Sequence, residues 1–285
     1  MAAQKRVLCI QDLSCLGRCS LAVALPVLSA CGHTVTPLPT VLLSTHTGGF
    51  GTPARVEQGA FCTQALAHYR TLDMPFDSVY SGYLADESQA ELVRQAFALA
   101  PGALKLVDPV LGDGGKPYRF VTPALAQAMA GLCAEADWIT PNVTESALLL
   151  GLAPDAGPLS AEQARARAGA LRSAYGAGVV LTGVQLDTGG RANVLAPCEG
   201  GAPRLLAYAL APGSWPGTGD LFASALLGLL LSRRSATDAV ARAARFVAAC
   251  AAAAGQDGLP ARYGVPFERF LAYLANGDDP FWQPL

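Results

Sequence analysis

Three short stretches of the chain put carboxylates next to backbone that is suited to holding anions. In "PGTGD" (216–220), Gly217 and Gly219 flank Thr218, and Asp220 directly precedes the apolar run "LFASALLGLLL". Glycine lets a ligand come close to the backbone. A helix opening at Thr218–Asp220 would turn unpaired N–H groups, and the positive end of its dipole, toward a negative charge. That positive end predicts an ionised Asp220, although Asp220 also reads as a plain helix cap. "VDPVLGD" (107–113) carries Asp108 and Asp113, and "TPNVTESALL" (140–149) carries Asn142 and Glu145. A spacing of three puts Asn142 and Glu145 on one face of an opening helical turn. Such oxygen ligands suit Mg2+, which binds few carboxylates and keeps waters and phosphates. Capping is again the alternative, with Asn142 as N-cap and Glu145 three residues on. It accounts well for one such motif and less well for three at one rim.

The elements that must position these residues follow from hydrophobic patterning. Strand-like runs fall at 6–10, 34–43, 77–82, 104–109, 137–141, 178–183, 192–197 and 204–210. Helical patterns fall at 18–31, 54–70, 86–99, 122–134, 143–150, 160–175, 219–232, 235–254 and 266–275. This alternation predicts an α/β fold with a mostly parallel sheet covered on both faces. The pair at 192–210 has no helix between its members and reads as an antiparallel excursion at a sheet edge. No linker or repeat divides the chain, so 1–285 reads as one domain. Ligands of such sheets sit beyond the carboxyl ends of the strands. Gln11, Asp12, residues 44–47, Gly82, Tyr83, Asp108, Thr140, Asn142 and Thr182 follow those ends and would line one rim.

Composition narrows the function. The 285 residues are 52% hydrophobic and 15% charged, with a net charge of -2. There is no basic footprint for nucleic acid and no charge block for a membrane surface. The start of the chain lacks a signal-peptide pattern, and its most apolar run is too short to span a bilayer. The cytosol is the expected compartment. The eight cysteines include no CxxC pair, and they read as buried free thiols rather than a disulfide framework. His33 and His68 read as surface residues. A GxxxxGK[ST] phosphate loop is absent.

Taken in order, "VLCIQDLSCLGRCSLAVALPVLSACG", "TVLLSTHTGGFG", "YSGYLAD", "LVDPVLGDGGKPY", "DWITPNVTESALL", "VVLTG" and "PGTGDLFASALL" resemble the pyridoxal kinase family of the ribokinase superfamily over nearly the whole length. The bacterial branch labelled pyridoxamine kinase is the most similar. The resemblance implies a ribokinase-like three-layer α/β/α sandwich. It implies ATP-dependent phosphorylation of the 5′-hydroxymethyl of a vitamin B6 vitamer, with Mg2+, K+ as the candidate monovalent cation and a homodimer. On that analogy Asp220 is the base, and the amides of Gly217, Thr218 and Gly219 form the anion hole. Glu145 places Mg2+, with Asn142 acting through water, and Asp108 lies by the metal and phosphates. Asp113 and Tyr118 belong to the segment covering the nucleotide, and Thr182 lies by the phosphates. Thr47 and Tyr83 contact the pyridine ring, and His46 lines the same pocket.

The chain departs from the family pattern at two places. Where animal and enteric relatives have a ring-binding serine after "IQ", this chain has Asp12. A carboxylate there suits a charged amine or ring nitrogen, or else a hydroxyl common to all vitamers. After "HTG" stands Gly49 instead of a tyrosine. The nearest rival, hydroxymethylpyrimidine kinase, shares "DPV" and "TPN" but typically has cysteine in place of Asp220. A vitamer-binding protein without catalysis is the rival of a different class.

Overall fold

The backbone ladder begins with β1 (Arg6–Leu16) and β2 (Thr34–Thr45). The computed structural model describes residues 4–155, 157–209 and 213–275. The further strands are β3 (Arg55–Glu57), β4 (Ser78–Ser81), β5 (Leu104–Val107), β6 (Gly112–Asp113), β7 (Lys116–Pro117), β8 (Trp138–Ile139), β9 (Gly178–Gln185), β10 (Arg191–Ala196) and β11 (Arg204–Tyr208). The helices are α1 (Leu21–Ala30), α2 (Gly59–Thr71), α3 (Ser88–Leu99), α4 (Pro123–Ala134), α5 (Val143–Leu149), α6 (Ala161–Tyr175), α7 (Thr218–Leu231), α8 (Ala236–Gln256) and α9 (Leu271–Ala275).

Nine strands form one sheet in the order β11-β10-β9-β8-β5-β4-β1-β2-β3. Pairing is parallel from β2 through β9 and antiparallel at β3, β10 and β11. All four residues of β4 are buried, as expected of a strand covered on both faces. One core packs α2, α3, α4 and α6 on one face, and the other packs α1, α7 and α8 on the opposite face. The result is a three-layer α/β/α arrangement.

The edges explain several local choices. Pro37 and Pro39 of β2 pair opposite Cys9 and Gln11 of β1. β3 joins β2 only at Val41, Leu42 and Leu43, so the outer edge at both prolines needs no ladder N–H. The structure corrects the helix expected at 54–70, because residues 55–57 are the edge strand and α2 starts at Gly59. The helix expected at 266–275 is divided into a 3-10 turn (Phe267–Phe270) and α9. The last residue of the strand expected at 204–210 lies outside the described residues. His33 is buried rather than exposed, with Nε2 2.9 Å from the Gly228 carbonyl oxygen of α7. All eight cysteines are free. Among the described residues no helix is long and apolar enough to cross a membrane.

Register builds the floor of the site. Cys9, Tyr80, Leu106 and Trp138 stand side by side across four strands, in the core facing α7. Side chains repeat on one face every two residues. The next row is therefore Gln11, Gly82, Asp108 and Thr140. The amides of Gly82, Asp108 and Thr140 continue the ladder to Ile10, Ser81 and Val107.

Candidate active site

α7 begins above that row. Gly217 is its N-cap at φ 81°, and among the described residues no side chain caps the helix. The first helical bond runs from the Leu221 amide to the Gly217 carbonyl at 2.9 Å. The amides of Thr218, Gly219 and Asp220 precede that bond, as the unsatisfied donors of a helix start. A Cβ on Gly217 would collide with the Arg18 carbonyl oxygen, so the protein's own backbone, rather than a ligand, makes the close approach there. Gly219 is open by comparison, since its nearest neighbour would be Asp108 Oδ2 at 3.8 Å.

Asp220 is the third residue of α7 and is not its cap. Its Oδ2 accepts the Ser20 amide at 2.9 Å. Burial works against the ionised form that the helix end alone predicts. Burial, and then the neighbouring Asp108 charge, push its pKa up to about 8 against the opposing Ser20 bond. Half a unit of positive charge at a helix end does not outweigh burial beside a second carboxylate.

Asp108 is buried, and its Oδ1 accepts the Thr140 hydroxyl at 2.9 Å. Burial pushes its pKa up to about 6. In α5, the capping alternative is realised in full. Asn142 Oδ1 accepts the Glu145 amide at 2.9 Å, and Glu145 Oε2 accepts the Asn142 amide at 2.8 Å. Glu145 Oε1 accepts the Leu111 amide at 3.2 Å, and Asn142 Nδ2 donates to the Gly112 carbonyl at 2.8 Å. Both side chains thus tie α5 to the turn after β5. Burial and the Asp108 charge hold the Glu145 pKa well above the usual carboxylate range. Among the described residues no group of three or more His, Cys, Asp or Glu is disposed to hold a metal ion. A divalent cation at this rim would depend on oxygens brought by the substrate, the usual situation for Mg2+.

β6 and β7 form a two-stranded ribbon beside α5, anchored by the Gly115 amide on Thr144 Oγ1 at 2.9 Å. Asp113 is exposed on it, and its Oδ1 accepts the Gly114 amide at 2.7 Å. Tyr118 follows, 43% exposed. Burial and the charges of Glu145, Asp113, Asp220 and Asp108 raise its pKa. Thr182 pairs across from Asn142, and its amide donates to the Pro141 carbonyl at 2.8 Å.

At the other end, the β1–β2 register shifts between Gln11 and Leu13, which re-aims Asp12. Asp12 is buried, and its Oδ2 accepts the Ser14 hydroxyl at 2.8 Å. Burial raises its pKa, opposed by hydrogen bonds from the Ser20 and Ser14 hydroxyls. Tyr83 is half-buried, and burial raises its pKa; Arg55, Asp12, Glu57 and Asp86 lie near enough to bear on it. Thr47 is exposed. His46 is buried and has both ring nitrogens engaged by backbone. Nδ1 accepts the Gly48 amide at 3.0 Å, so Nε2 donates to the Arg262 carbonyl at 2.7 Å. The imidazole therefore fastens the 46–50 loop to the C-terminal segment.

One residue at the site carried no sequence signal. Ser20 looks like an ordinary N-cap for α1, yet it sits at φ 50°, ψ -132° and makes no side-chain cap bond. A non-glycine residue there carries strain on the order of 1–3 kcal/mol. Its amide goes to Asp220 Oδ2 at 2.9 Å.

Comparison with known proteins agrees with this geometry. The phosphomethylpyrimidine kinase family model matches residues 25–261. A pyridoxine/pyridoxal/pyridoxamine kinase of Bordetella bronchiseptica is 30% identical over 254 residues, covering 84% of this chain and 85% of the relative. The crystal structure of pyridoxal kinase from Lactobacillus plantarum superposes with a TM-score of 0.87 at 32% identity, covering 95% of this chain and 97% of that one. A Bacteroides thetaiotaomicron protein described as a phosphomethylpyrimidine kinase, in a crystal form with pyridoxal, gives a TM-score of 0.88 at 30% identity over 95% and 96% of the two chains. A family match over most of the chain, and a fold shared with these kinases from end to end, place the chain in the pyridoxal kinase family, with the ribokinase-like fold.

Proposed function

We propose that this enzyme transfers the γ-phosphoryl group of ATP to the 5′-hydroxymethyl of a vitamin B6 vitamer at the start of α7. The observation that carries the assignment is Asp220. It is the third residue of a helix whose N-terminus has no side-chain cap, and its carboxylate points away from capping. Phosphoryl transfer asks the protein mainly for positioning and charge stabilisation. ATP with Mg2+ supplies the phosphoryl group and the divalent charge. The amides at Gly217, Thr218 and Gly219 hold the moving group, because preorganised donors cost no reorganisation as charge develops. Asp220 takes the hydroxyl proton on the oxygen that Ser20 leaves free. Asp108 lies by the metal and phosphates. Glu145 helps place the metal with the lone pairs that its backbone bonds leave, and Asn142 acts through water. Asp113 and Tyr118 cover the nucleotide from the β6–β7 ribbon, and Thr182 flanks the phosphates. Asp12, Thr47 and Tyr83 meet the pyridine ring, with His46 holding the loop that carries Thr47.

We also read the chain as one cytosolic domain that pairs as a homodimer and uses K+. One continuous sheet supports the single domain, and eight unpaired cysteines suit a reducing compartment. Val56 of the edge strand β3 is 58% exposed, which suits a covered edge. The test is a substrate panel of pyridoxal, pyridoxamine, pyridoxine and hydroxymethylpyrimidine with ATP, Mg2+ and K+. Phosphorylation of the vitamers is expected. Turnover of hydroxymethylpyrimidine alone would reassign the substrate, and turnover of none would end the kinase reading.

A further inference from the structure

The stretch "HTGGFG" (46–51) has the composition of a free loop, yet it is packed onto the C-terminal segment. Gly49 sits at φ 85°, and a Cβ there would lie 3.1 Å from Arg262 Cβ, so the close approach suits glycine. The Phe50 ring meets His46 and Tyr263 edge-on, with centroids 5.0 and 5.4 Å away. The Arg262 guanidinium lies 5.7 Å from the Phe50 centroid and 5.4 Å from that of Tyr263, within cation–π range of both. No carboxylate among the described residues pairs with Arg262. The segment is fixed from its other side by Arg18. Its Nη1 donates to the Tyr263 carbonyl at 3.3 Å, and its Nε pairs with Glu268 at 2.7 Å. A Cβ on Gly264 would sit 2.8 Å from Arg18 Cβ and 3.3 Å from the Pro216 carbonyl oxygen. Residues 262–264 therefore stand between the loop that carries Thr47 and the backbone that opens α7.

We propose that Arg262 is a positioning residue for the vitamer. With Phe50 and Tyr263 it seats the 46–51 loop, so that Thr47 is placed relative to the start of α7 before the substrate arrives. The His46 bond uses only the backbone carbonyl of Arg262, whereas Phe50 meets its side chain, so the two contacts are separable. A loop with three glycines in six residues loses much conformational freedom when it is ordered. Ordering it within the free enzyme removes that cost from the binding of the vitamer. The inference rests on the B6 kinase reading above, in which Thr47 meets the pyridine ring.

The test compares Arg262→Ala, Phe50→Ala and the double variant by two readouts. One is steady-state kinetics with the best vitamer of the panel, and the other is hydrogen exchange across residues 46–51 in the free enzyme. Arg262 is exposed, and Arg262→Ala keeps the carbonyl that His46 uses, so the variant folds. A cation–π contact of this kind is worth a few-fold in an equilibrium, and two of them are lost. Arg262→Ala should therefore raise the vitamer KM about tenfold, leave the KM for ATP unchanged and speed exchange across 46–51 about tenfold. The Phe50→Ala effect on the vitamer KM should shrink by about fivefold in the Arg262→Ala background, because both changes remove the same contact. An unchanged vitamer KM, unchanged exchange, an equal rise in both KM values or fully multiplicative effects in the cycle would overturn the proposal. Failure of the wild-type enzyme to phosphorylate any vitamer, with the exchange result intact, would instead overturn the reading beneath it.

Discussion

Two helices start at the same rim, and each carries a carboxylate at its third position: Glu145 in α5 and Asp220 in α7. In α5 the cap is Asn142, whose oxygen takes an amide, and Glu145 is long enough to reach back to the cap's own N–H. The start of that helix is closed. In α7 the cap is Gly217, which has no oxygen to offer, and Asp220 takes the amide of Ser20 from another element. That start remains available to an anion. The difference shows how one position in a helix becomes scaffold or site. A closed box satisfies the donors within the helix, whereas an uncapped start leaves them for something that arrives.

The contrast breaks most sharply at Asp220. Asp220→Asn should lower kcat at least ~1000-fold if the carboxylate is the base, with ATP binding retained, as equilibrium titration would show. Near-normal turnover would end the role of Asp220 as the base. Gly217→Ala comes next. Its Cβ meets the Arg18 carbonyl at a positive φ, so we expect a loss on the order of 2–4 kcal/mol in denaturant unfolding, accompanied by loss of turnover. Asn142→Ala should cost about 1 kcal/mol of stability and leave the vitamer KM unchanged. A variant with an unchanged unfolding midpoint but lost activity would show that the metal role of Asn142 outweighs its capping role.

The smallest effects are those of pH. The Asp220 pKa is pushed up to about 8, so kcat/KM for the vitamer should rise with pH toward that value. A profile flat down to pH 5 would contradict it. The same shift has a sign for stability. Between the unfolded carboxylate range near pH 4 and about pH 8, the folded chain keeps a proton that the unfolded chain releases. Its contribution therefore falls as pH rises through that window. Asp220→Asn removes that dependence and should raise the melting temperature by a few degrees at pH 8.

Part of the contrast lies in the residue types: "NVTE" has a cap oxygen and a glutamate three residues on, whereas "GTGD" has neither, yet the sequence left capping open as an alternative for both motifs. The parallel sheet, the antiparallel edge at β10–β11 and most helix positions follow from periodicity. Residues 55–57 did not, because a three-residue exposed strand has too little pattern to distinguish it from a helix start. His33 read as a surface residue because its burial depends on a carbonyl of α7, 195 positions away. The upward push on the Asp220 pKa was hidden for a related reason: the helix end was visible in the sequence and Asp108 beside it was not.

The sequence by itself determined which residues could be chemical and on which side of the sheet they gather, because strand alternation and helix-start chemistry are local rules. Only the tertiary structure decided which carboxylates are tied up and which are held ready. Ser20 looks like a cap, and Gly217 looks like a glycine kept for a ligand. Their actual roles come from contacts between β1, α7 and the C-terminal segment, where the Arg18 carbonyl excludes any side chain at Gly217 and a strained amide reaches Asp220. Backbone conformation imposed by distant packing leaves no trace in residue type, and that is where this site is set.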